Sequence, residues 1–467
     1  MQIPLIAALA LALSPHIQAV DSPAEAPVAA NSIAAEGADS YITWAELDEL
    51  LIARRAQSTE GRELLRHLAE VRLLEVLGAQ NGLSKSDADI DAQLREIEAQ
   101  ILAEGNRGGL KGMLKEKRLS LEEFRRFLRL AAVQETLTKR ALGKQDSDRV
   151  TGEQQKLWID AALLERKYEE YNAPWKDGVV ARCGEFTISA DEFLTYLRRR
   201  LSEDTLREDC WQLLVAKRMK ARMPDLAPER FQKAIAEELQ RRRDDTKRDP
   251  RYKGATYESL LATQGILSDR MDRDPGVHIA ALSKLWVERS YDDAALQRVY
   301  KDERELFDGV YGAAVDTSMI FLRAGAFKND FNSRTFLEAE KILGGLRSRI
   351  RTLDDFRAFA KDQNEDPSTR ESGGALGYIT LRSTKVTPEI QAQIARALAT
   401  PVSASAQESM FGPLRVANGC VLLWFGSRRP APAWDAMSMY VKSELRRRFV
   451  EDVLPKSAVS GPLFSNE

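Results

Sequence analysis

Histidine is scarce in this sequence: its 467 residues include only His16, His67 and His278. Three separated histidines argue against a histidine-rich metal site, and against most Ser-His-Asp or Cys-His catalysis. The signatures of a phosphate-binding loop, a Gly-x-Gly-x-x-Gly nucleotide-binding turn and a His-Glu-x-x-His zinc helix are also missing. We therefore expect no cofactor and no metal.

Cysteine, excess charge of one sign and long apolar runs are scarce too. Cys183, Cys210 and Cys420 are too few for a disulfide scaffold, although a Cys183–Cys210 pair stays open beside separate thiols. Basic residues number 69 and acidic residues 71, a net charge of -2, so there is no basic field to attract nucleic acid. Beyond the first residues no run approaches about 18 apolar residues, which predicts no stable membrane insertion of the mature chain.

The first residues are typical of a secretory signal. A short apolar run from Ile3 to Leu13 is followed by Ser14-Pro15 and then by Ile17-Gln18-Ala19. This pattern predicts a signal peptide over residues 1–19 and export to the periplasm or cell envelope; an uncleaved interfacial segment is the alternative. Residues 20–40, rich in Ala, Pro and Ser, predict a flexible leader.

Helical patterns dominate more than half of the chain, from residue 41 to about residue 308. Thr43-Trp44-Ala45-Glu46 and Ser120-Leu121-Glu122-Glu123 are capping boxes, which begin helices by pairing the first free N–H groups. We predict a first helical unit over residues 41–145, a helical linker over 146–179 and a second helical unit over 180–308. The stretch from Phe186 to Phe193 echoes Tyr41 to Leu47, which indicates a loose internal repeat.

The pattern changes at about residue 309. We predict a strand at Val315–Leu322, helices over 333–350 and after Thr352, a strand at Leu376–Leu381, a helix from Pro388, and strands over 411–414 and 420–425. This order forms a small α+β domain over residues 309–430, and residues 431–467 form a C-terminal helix and tail. The predicted fold class is thus multidomain α+β, mostly helical in its N-terminal and middle regions.

The 309–430 region resembles the parvulin (PpiC-type, rotamase) family of peptidyl-prolyl cis-trans isomerases. The motifs that carry the resemblance, over about 115 residues, are Asp354-Asp355-Phe356, Phe359-Ala360, Asp366-Pro367-Ser368, Gly373-Gly374-Ala375-Leu376-Gly377-Tyr378, Pro388-Glu389-Ile390, Ala397-Leu398, Phe411-Gly412-Pro413-Leu414 and Asn418-Gly419. The flanking helical units resemble the chaperone regions of SurA and its relatives. The resemblance implies that proline-containing or unfolded polypeptides are the partners; oligomeric state is left open.

The resemblance also implies a site. Leu376, Val386 and Ile390 match the apolar proline pocket, and Phe411 or Val416 supplies a further wall. Met319 is the remaining residue expected to bind the substrate. Asp366 matches a position facing the isomerising bond, where the alternative role is turn formation.

Other positions of the implied site depart from the family. Asn418 matches a polar position that is often Ser or Thr. Met319 and Val421 stand where the family usually has histidines, and no histidine follows His278. We therefore expect an exported prolyl isomerase and chaperone of unfolded proteins, with Asp366 and Asn418 as its polar groups. The alternative is a holdase with the same fold that binds polypeptides without significant isomerisation.

Overall fold

The computed structural model describes residues 30–116, 119–326, 334–400 and 405–464, so the predicted signal peptide, residues 1–19, lies outside the described residues. The chain divides into two compact units, Met1–Ser283 with Val450–Glu467, and Lys284–Phe449. The multidomain α+β class is confirmed, because long helices dominate and the sheets are small. Among the described residues, no helix is both long and apolar enough to span a membrane.

The first unit begins with a hairpin and a helix. β1 (Ile33–Gly37) pairs antiparallel with β2 (Ser40–Thr43), and α1 (Trp44–Arg54) follows directly. The predicted capping box is present: the Thr43 side chain accepts from the Glu46 N–H, and the Glu46 carboxylate accepts from the Thr43 N–H at 2.9 Å. We call this arrangement the first hairpin–helix module.

β1 lies inside residues 20–40, which the sequence predicts as a flexible leader. Ala34 and Ala35 are fully buried in it, and Glu36 pairs with Tyr41 across the hairpin. The alanine-rich composition suggested flexibility, but small side chains also suit a strand on which other elements pack closely. The leader prediction is therefore wrong for residues 33–37.

Helices follow the first module. They are α2 (Thr59–Gln80), α3 (Asp87–Ala103), α4 (Gly109–Glu116) and α5 (Leu121–Ala141). The predicted cap of α5 is present, since the Ser120 N–H donates to the Glu123 carboxylate at 2.6 Å. α3, α4 and α5 enclose a core of Ile90, Leu94, Ile97, Ile101, Leu110, Leu114, Phe124 and Leu128. These three helices thus form a small bundle with its own apolar interior.

The same plan then recurs, as the sequence repeat predicts. The next elements are α6 (Gly152–Glu165), β3 (Glu169–Glu170), β4 (Val179–Cys183), β5 (Phe186–Ser189) and α7 (Ala190–Arg200). The β4–β5 hairpin has the register of β1–β2, including an irregularity at the second residue of its first strand. α1 and α7 both have 11 residues, and Ser189 caps α7 as Thr43 caps α1. We call β4, β5 and α7 the second hairpin–helix module.

The predicted helical linker, residues 146–179, is α-helical only over Gly152–Glu165. Lys167 adopts a left-handed backbone with φ 55°, which ends the helical path. The chain then forms β3, whose Glu169 pairs with Arg182 of β4. The second half of this linker therefore completes the second module as a third strand.

The rest of the first unit repeats the helical order. Its helices are α8 (Glu203–Ala221), α9 (Pro228–Arg248), α10 (Tyr257–Thr263) and α11 (Pro275–Ser290), the last of which continues into the second unit. Cys183, Cys210 and Cys420 are buried free thiols. Burial raises the pKa of each thiol, that of Cys210 to about 12, so all three are protonated at neutral pH.

The second unit holds a four-stranded sheet. Its elements are α12 (Asp293–Asp302), α13 (Arg304–Tyr311), β6 (Ala314–Arg323), α14 (Phe336–Arg349), α15 (Leu353–Gln363), α16 (Pro367–Arg370), β7 (Ala375–Thr380), α17 (Pro388–Ala399), α18 (Ala406–Ser409), β8 (Met410–Val416), β9 (Gly419–Arg429) and most of α19 (Trp434–Val453). The predicted order of strands and helices is confirmed, with short α16 and α18 added. The strand order is β7-β6-β9-β8, and every pair is antiparallel.

The sheet buries apolar side chains on both faces. One face packs on α14 and α15 through Ile320, Leu322, Leu343 and Phe356. The other packs on α17 through Val315, Val421, Leu423, Ile390 and Ile394. Since neighbouring strand residues point to opposite faces, β6 contributes to both cores. The face towards α17 carries the predicted site.

The helices of the second unit pack through aromatic side chains. Trp286 stacks on Phe449 with ring centroids 4.1 Å apart, and Tyr311 stacks on Tyr440 at 4.3 Å. Phe307, Met437, Val441 and Leu445 are among the buried residues of the same cluster. The helix predicted within residues 431–467 is therefore present as α19, with its apolar side packed on α11–α13.

Candidate functional site

The predicted pocket residues come together on one face of the sheet. Met319 of β6, Leu376 of β7, Val386, Ile390 of α17 and Phe411 of β8 all belong to the apolar cluster between the sheet and α17. They lie up to about 90 residues apart in sequence, and only the strand order brings them together. The cluster thus has the composition expected of a surface that holds an apolar ring.

Exposure separates these residues into two groups. Ile390 is 3% exposed and belongs to the buried core, so its role is to support the surface. The members packed against that core but only partly buried are Met319, Phe321, Leu376, Val386, Leu398, Phe411 and Leu414. We call this set the apolar face. Phe411 lies 4.9 Å from Phe425 between ring centroids, which fixes one end of the face.

Backbone contacts hold β6 against the loop that precedes β7. The Met319 N–H donates to the Gly374 carbonyl at 2.8 Å. Gly374 has φ 81°, and a Cβ there would lie 2.3 Å from the Met319 carbonyl oxygen. Only glycine fits such an approach. The Gly373-Gly374 motif therefore serves the backbone at the edge of the apolar face.

Asn364 organises the same loop, and sequence reasoning missed it. Its side chain is fully buried. Its Oδ1 accepts from the Phe321 N–H at 2.9 Å and from the Asp366 N–H at 3.2 Å, while its Nδ2 donates to Thr369 Oγ1 at 2.9 Å. A buried amide with its partners satisfied fixes the loop on β6. The only sequence signal was an Asn directly after a predicted helix.

Asp366, predicted as catalytic, caps α16. Its carboxylate accepts from the Ser368 N–H at 3.1 Å, from Ser368 Oγ at 2.7 Å and from Thr369 Oγ1 at 2.6 Å. Burial acts to raise the pKa of Asp366, but the hydrogen bonds from Thr369 and Ser368 hold it below its usual value. The group is therefore a carboxylate at neutral pH that is engaged within its own loop.

Asn418, the second predicted catalytic residue, lies in the turn between β8 and β9. It is exposed, and its backbone carbonyl accepts from the Ala324 N–H at 3.2 Å. The structure thus places Asn418 at the connection between β8 and β9, and its catalytic role stays a prediction.

The two positions where the family usually has histidine are apolar in structure as well as in sequence. Met319 is partly exposed on the apolar face, and Val421 is 1% exposed in the core beneath it. Met319 and Val421 therefore supply no acid or base for proton transfer at these two positions. Among the described residues, no group of three or more His, Cys, Asp or Glu side chains is placed to hold a metal ion. The surface can bind and desolvate a ligand.

Comparisons with known proteins give structural neighbours alone. No protein-family model matches the sequence, and the search of curated proteins finds no match. The structure is similar to the crystal structure of the peptidylprolyl isomerase PrsA from Bacillus anthracis, with 17% identity, coverage of 53% of this chain and 94% of that chain, and a TM-score of 0.28.

Two further neighbours are of related kinds. A PpiC-type peptidyl-prolyl cis-trans isomerase domain is 24% identical, covering 26% of this chain and 96% of its own, with a TM-score of 0.20. A structure from a study of the SurA-like chaperones PEB4 and Cj1289 of Campylobacter jejuni is 16% identical, covering 59% and 93%, with a TM-score of 0.23. These are the kinds of protein that the sequence resembles.

Proposed function

We propose that this protein is an exported chaperone that binds proline-containing segments of unfolded polypeptides on the apolar face and isomerises their X-Pro bonds slowly. The observation that carries the proposal is the grouping of Met319, Leu376, Val386 and Phe411 as partly exposed neighbours on one sheet face. Apolar side chains left partly uncovered on one side of a domain are typical of a site that binds a partner. A proline ring, which is apolar and rigid, suits this surface.

Isomerisation on such a surface needs no covalent step. The barrier to rotation about a peptide bond is about 18–20 kcal/mol and arises from amide resonance. A twisted amide has less charge separation than a planar one, so transfer from water to an apolar surface favours the twisted form. The apolar face supplies this effect alone, because its members carry no hydrogen-bonding side chain. We therefore expect catalysis well below that of an enzyme with polar groups at its site.

The second candidate is a holdase that binds the same segments without significant turnover. It is favoured by the engagement of the Asp366 carboxylate with Ser368 and Thr369, since that group is then less available to the substrate. The apolar residues at positions 319 and 421 favour it too. Both candidates use one binding surface and differ in rate alone.

A protease-coupled X-Pro peptide assay, run together with suppression of client aggregation, separates the two. The test variant is Leu376→Ser on the apolar face, and the matched control is Leu337→Ser on α14, where the leucine is 72% exposed and outside the cluster. Loss of one buried leucine contact, about 1.5–3 kcal/mol, is expected to weaken peptide binding at least tenfold in Leu376→Ser only.

The outcomes assign the function. A measurable rate that Leu376→Ser lowers and Leu337→Ser leaves unchanged supports the isomerase. A rate equal to that of buffer, with client binding still sensitive to Leu376→Ser, supports the holdase. If Leu376→Ser and Leu337→Ser have the same isomerisation rate and the same suppression of client aggregation, the apolar face has no part in either activity. Cleavage after Ala19 in a secreting host tests the export.

A further inference from the structure

The C-terminal residues occupy a cradle on the first unit. We define the tail as Leu454–Phe464, which follows α19 and belongs to the first unit. Three of its apolar side chains are buried, Leu454 at 1%, Val459 at 2% and Phe464 at 7% exposure, while Pro455–Ala458 between the first two anchors are exposed. The tail is thus laid on the surface and held by separated apolar anchors.

The polar contacts of α8 with the C-terminal residues are mostly to backbone. The Trp211 indole N–H donates to the Leu454 carbonyl at 2.8 Å, and Arg207 Nη1 donates to the Val459 carbonyl at 2.8 Å. Arg218 Nε donates to the Val453 carbonyl, at the end of α19, at 3.0 Å. Every non-terminal residue of any polypeptide has such a carbonyl. Recognition by these three donors therefore does not depend on which side chain the bound segment carries.

Two side-chain contacts add to this recognition: the Arg207 guanidinium lies 4.5 Å from the Phe464 ring centroid, and Lys456 pairs with Glu208. Lys456 Nζ lies 2.5 Å from Glu208 and 4.9 Å from the Trp211 ring centroid. Lys456 is exposed, so the pair contributes little. The cradle is thus selective for an apolar anchor pattern and a free backbone.

The tail also completes the first hairpin–helix module. Glu36 of β1 and Ser460 exchange two backbone hydrogen bonds, each 2.9 Å long. In the second module, the equivalent edge, at Arg182 of β4, pairs with Glu169 of β3. β3 directly precedes its module in the chain, whereas the tail is distant in sequence from the first module. The third-strand place of the first module is therefore filled by a segment from elsewhere in the chain, and β1 also pairs with β2 independently of it.

We propose that this cradle, formed by the edge of β1 and by Arg207, Trp211 and Arg218 of α8, is a second polypeptide-binding surface that takes apolar, unstructured segments of client proteins when the tail leaves it. The tail, which occupies the cradle in the structure, indicates what a client segment must offer. Its backbone carbonyls accept from the donors of α8, and its apolar side chains, about five residues apart, fill the anchor sites. Addition of a segment to a free strand edge is a common mode of peptide recognition. The proposal shares no residue with the apolar face and stands apart from the isomerase proposal.

A reversible lock on the tail tests the proposal in the full-length protein. Glu36→Cys with Ser460→Cys joins a directly paired position, and antiparallel pairs have Cα atoms about 4.5–5.5 Å apart, within the range that a disulfide spans. The matched control is Glu169→Cys with Arg182→Cys, which locks β3 in the second module. Because the three native thiols are buried and protonated, oxidation is expected at the engineered pair.

The probe is a labelled peptide with the sequence of residues 454–464. We expect it to bind the reduced Glu36→Cys/Ser460→Cys protein and to bind the oxidised form at least tenfold more weakly, with suppression of client aggregation falling in parallel. The β3-locked control is expected to show no difference between oxidised and reduced forms. A peptide with Ser at its three anchor positions is expected not to bind.

Two results would overturn the proposal. Equal client suppression by the oxidised and reduced forms would mean that the tail is a permanent part of the fold. Dimers that form in the reduced protein and vanish in the oxidised one, with client suppression unchanged, would mean that the cradle takes the tail of a second copy. Neither result affects the assay with Leu376→Ser, so the two proposals fail separately.

Discussion

Arg54, the last residue of α1, donates from Nε to Asp274 Oδ2 at 2.7 Å. Asp274 in turn accepts from the Val277 N–H at 3.1 Å in the first turn of α11. A second arm of the same guanidinium bonds to Asp209 of α8, which is fully buried, at 3.0 Å. Burial acts to lower the pKa of Arg54, but Asp274 and Asp209 raise it above its usual value. One cation thus joins three helices within the first unit.

Replacement of this cation is expected to destabilise the first unit strongly. Arg54→Met leaves Asp209 buried with Arg55 as its remaining ion-pair partner, at 3.2 Å. Removing one partner of a buried ion pair costs about 3–5 kcal/mol, because the other charge stays buried. Urea unfolding followed by circular dichroism measures this loss as a lower midpoint.

The control for Arg54 is Arg273→Met. Arg273 pairs with Glu49 at 3.0 Å, but their side chains are 71% and 50% exposed. A surface pair contributes about 0–1 kcal/mol, so this variant is expected to unfold near the wild-type midpoint. Equal midpoints for both variants would show that the buried network contributes no more than the exposed pair.

Two glycines at the apolar face form a matched pair. Gly374→Ala places a Cβ 2.3 Å from the Met319 carbonyl oxygen, whereas Gly377→Ala meets nothing within 4 Å. Both have positive φ, 81° and 74°, so both substitutions carry a backbone cost of about 1–3 kcal/mol. Gly374→Ala is expected to be clearly the less stable, and to weaken peptide binding as well, because the clash moves β6 or the loop.

Thermal unfolding and X-Pro peptide binding measure the two glycine variants side by side. If Gly377→Ala lowers the melting temperature more than Gly374→Ala does, the loop before β7 must shift to accommodate the methyl group at position 374. The comparison isolates the close approach of the backbone, since residue type and sign of φ are the same.

Local sequence signals predicted the elements well. The capping boxes at Thr43 and Ser120 begin helices because the whole motif lies within four residues. The residues predicted for the pocket were taken from the resemblance and not from physics alone; they belong to one apolar cluster, and their role in binding stays a prediction. Ile390 shows the limit, since the motif could not distinguish a wall of the pocket from the core beneath it.

The sequence did not predict the contacts between residues that are far apart in the chain. No local pattern indicates that Ser460 pairs with Glu36, or that Asn364 bonds to the Phe321 N–H. Both depend on elements that fold together from distant parts of the chain. The wrong leader prediction at residues 33–37 has the same origin, because a strand edge is defined by the elements that cover it.

The lowered pKa of Glu444 in α19 predicts how the stability of the second unit changes at acidic pH. The hydrogen bond from Arg447 lowers the pKa of Glu444 most, burial acts to raise it, and the hydrogen bond from Arg448 lowers it further. The resulting pKa is about 2. A carboxyl whose pKa is depressed on folding stabilises the fold fully above its unfolded value of 4.5, and the contribution disappears as the pH falls towards 2. The melting temperature is therefore expected to drop between pH 4.5 and 2.

Glu444→Gln is the variant that checks this response. It removes the titrating group, so its melting temperature is expected to be lower at pH 6 and to depend less on pH below 4.5. Glu389→Gln is the control, since Glu389 is an exposed carboxyl at the start of α17. A slope unchanged in Glu444→Gln would assign the acid response to other carboxyls.

Two variants of Asp366 distinguish a capping role of its carboxylate from a catalytic one. Asp366→Ala removes the acceptor for Ser368 and Thr369, and loss of a helix cap costs about 0.5–2 kcal/mol. Asp366→Asn keeps an oxygen acceptor without the charge, so it is expected to restore most of that stability. If the residue positions the loop and does no chemistry, Asp366→Asn also keeps the X-Pro isomerisation rate, with an unchanged pH profile. A stable Asp366→Asn protein that has lost its rate, while peptide affinity is normal, would instead make the carboxylate a catalytic group.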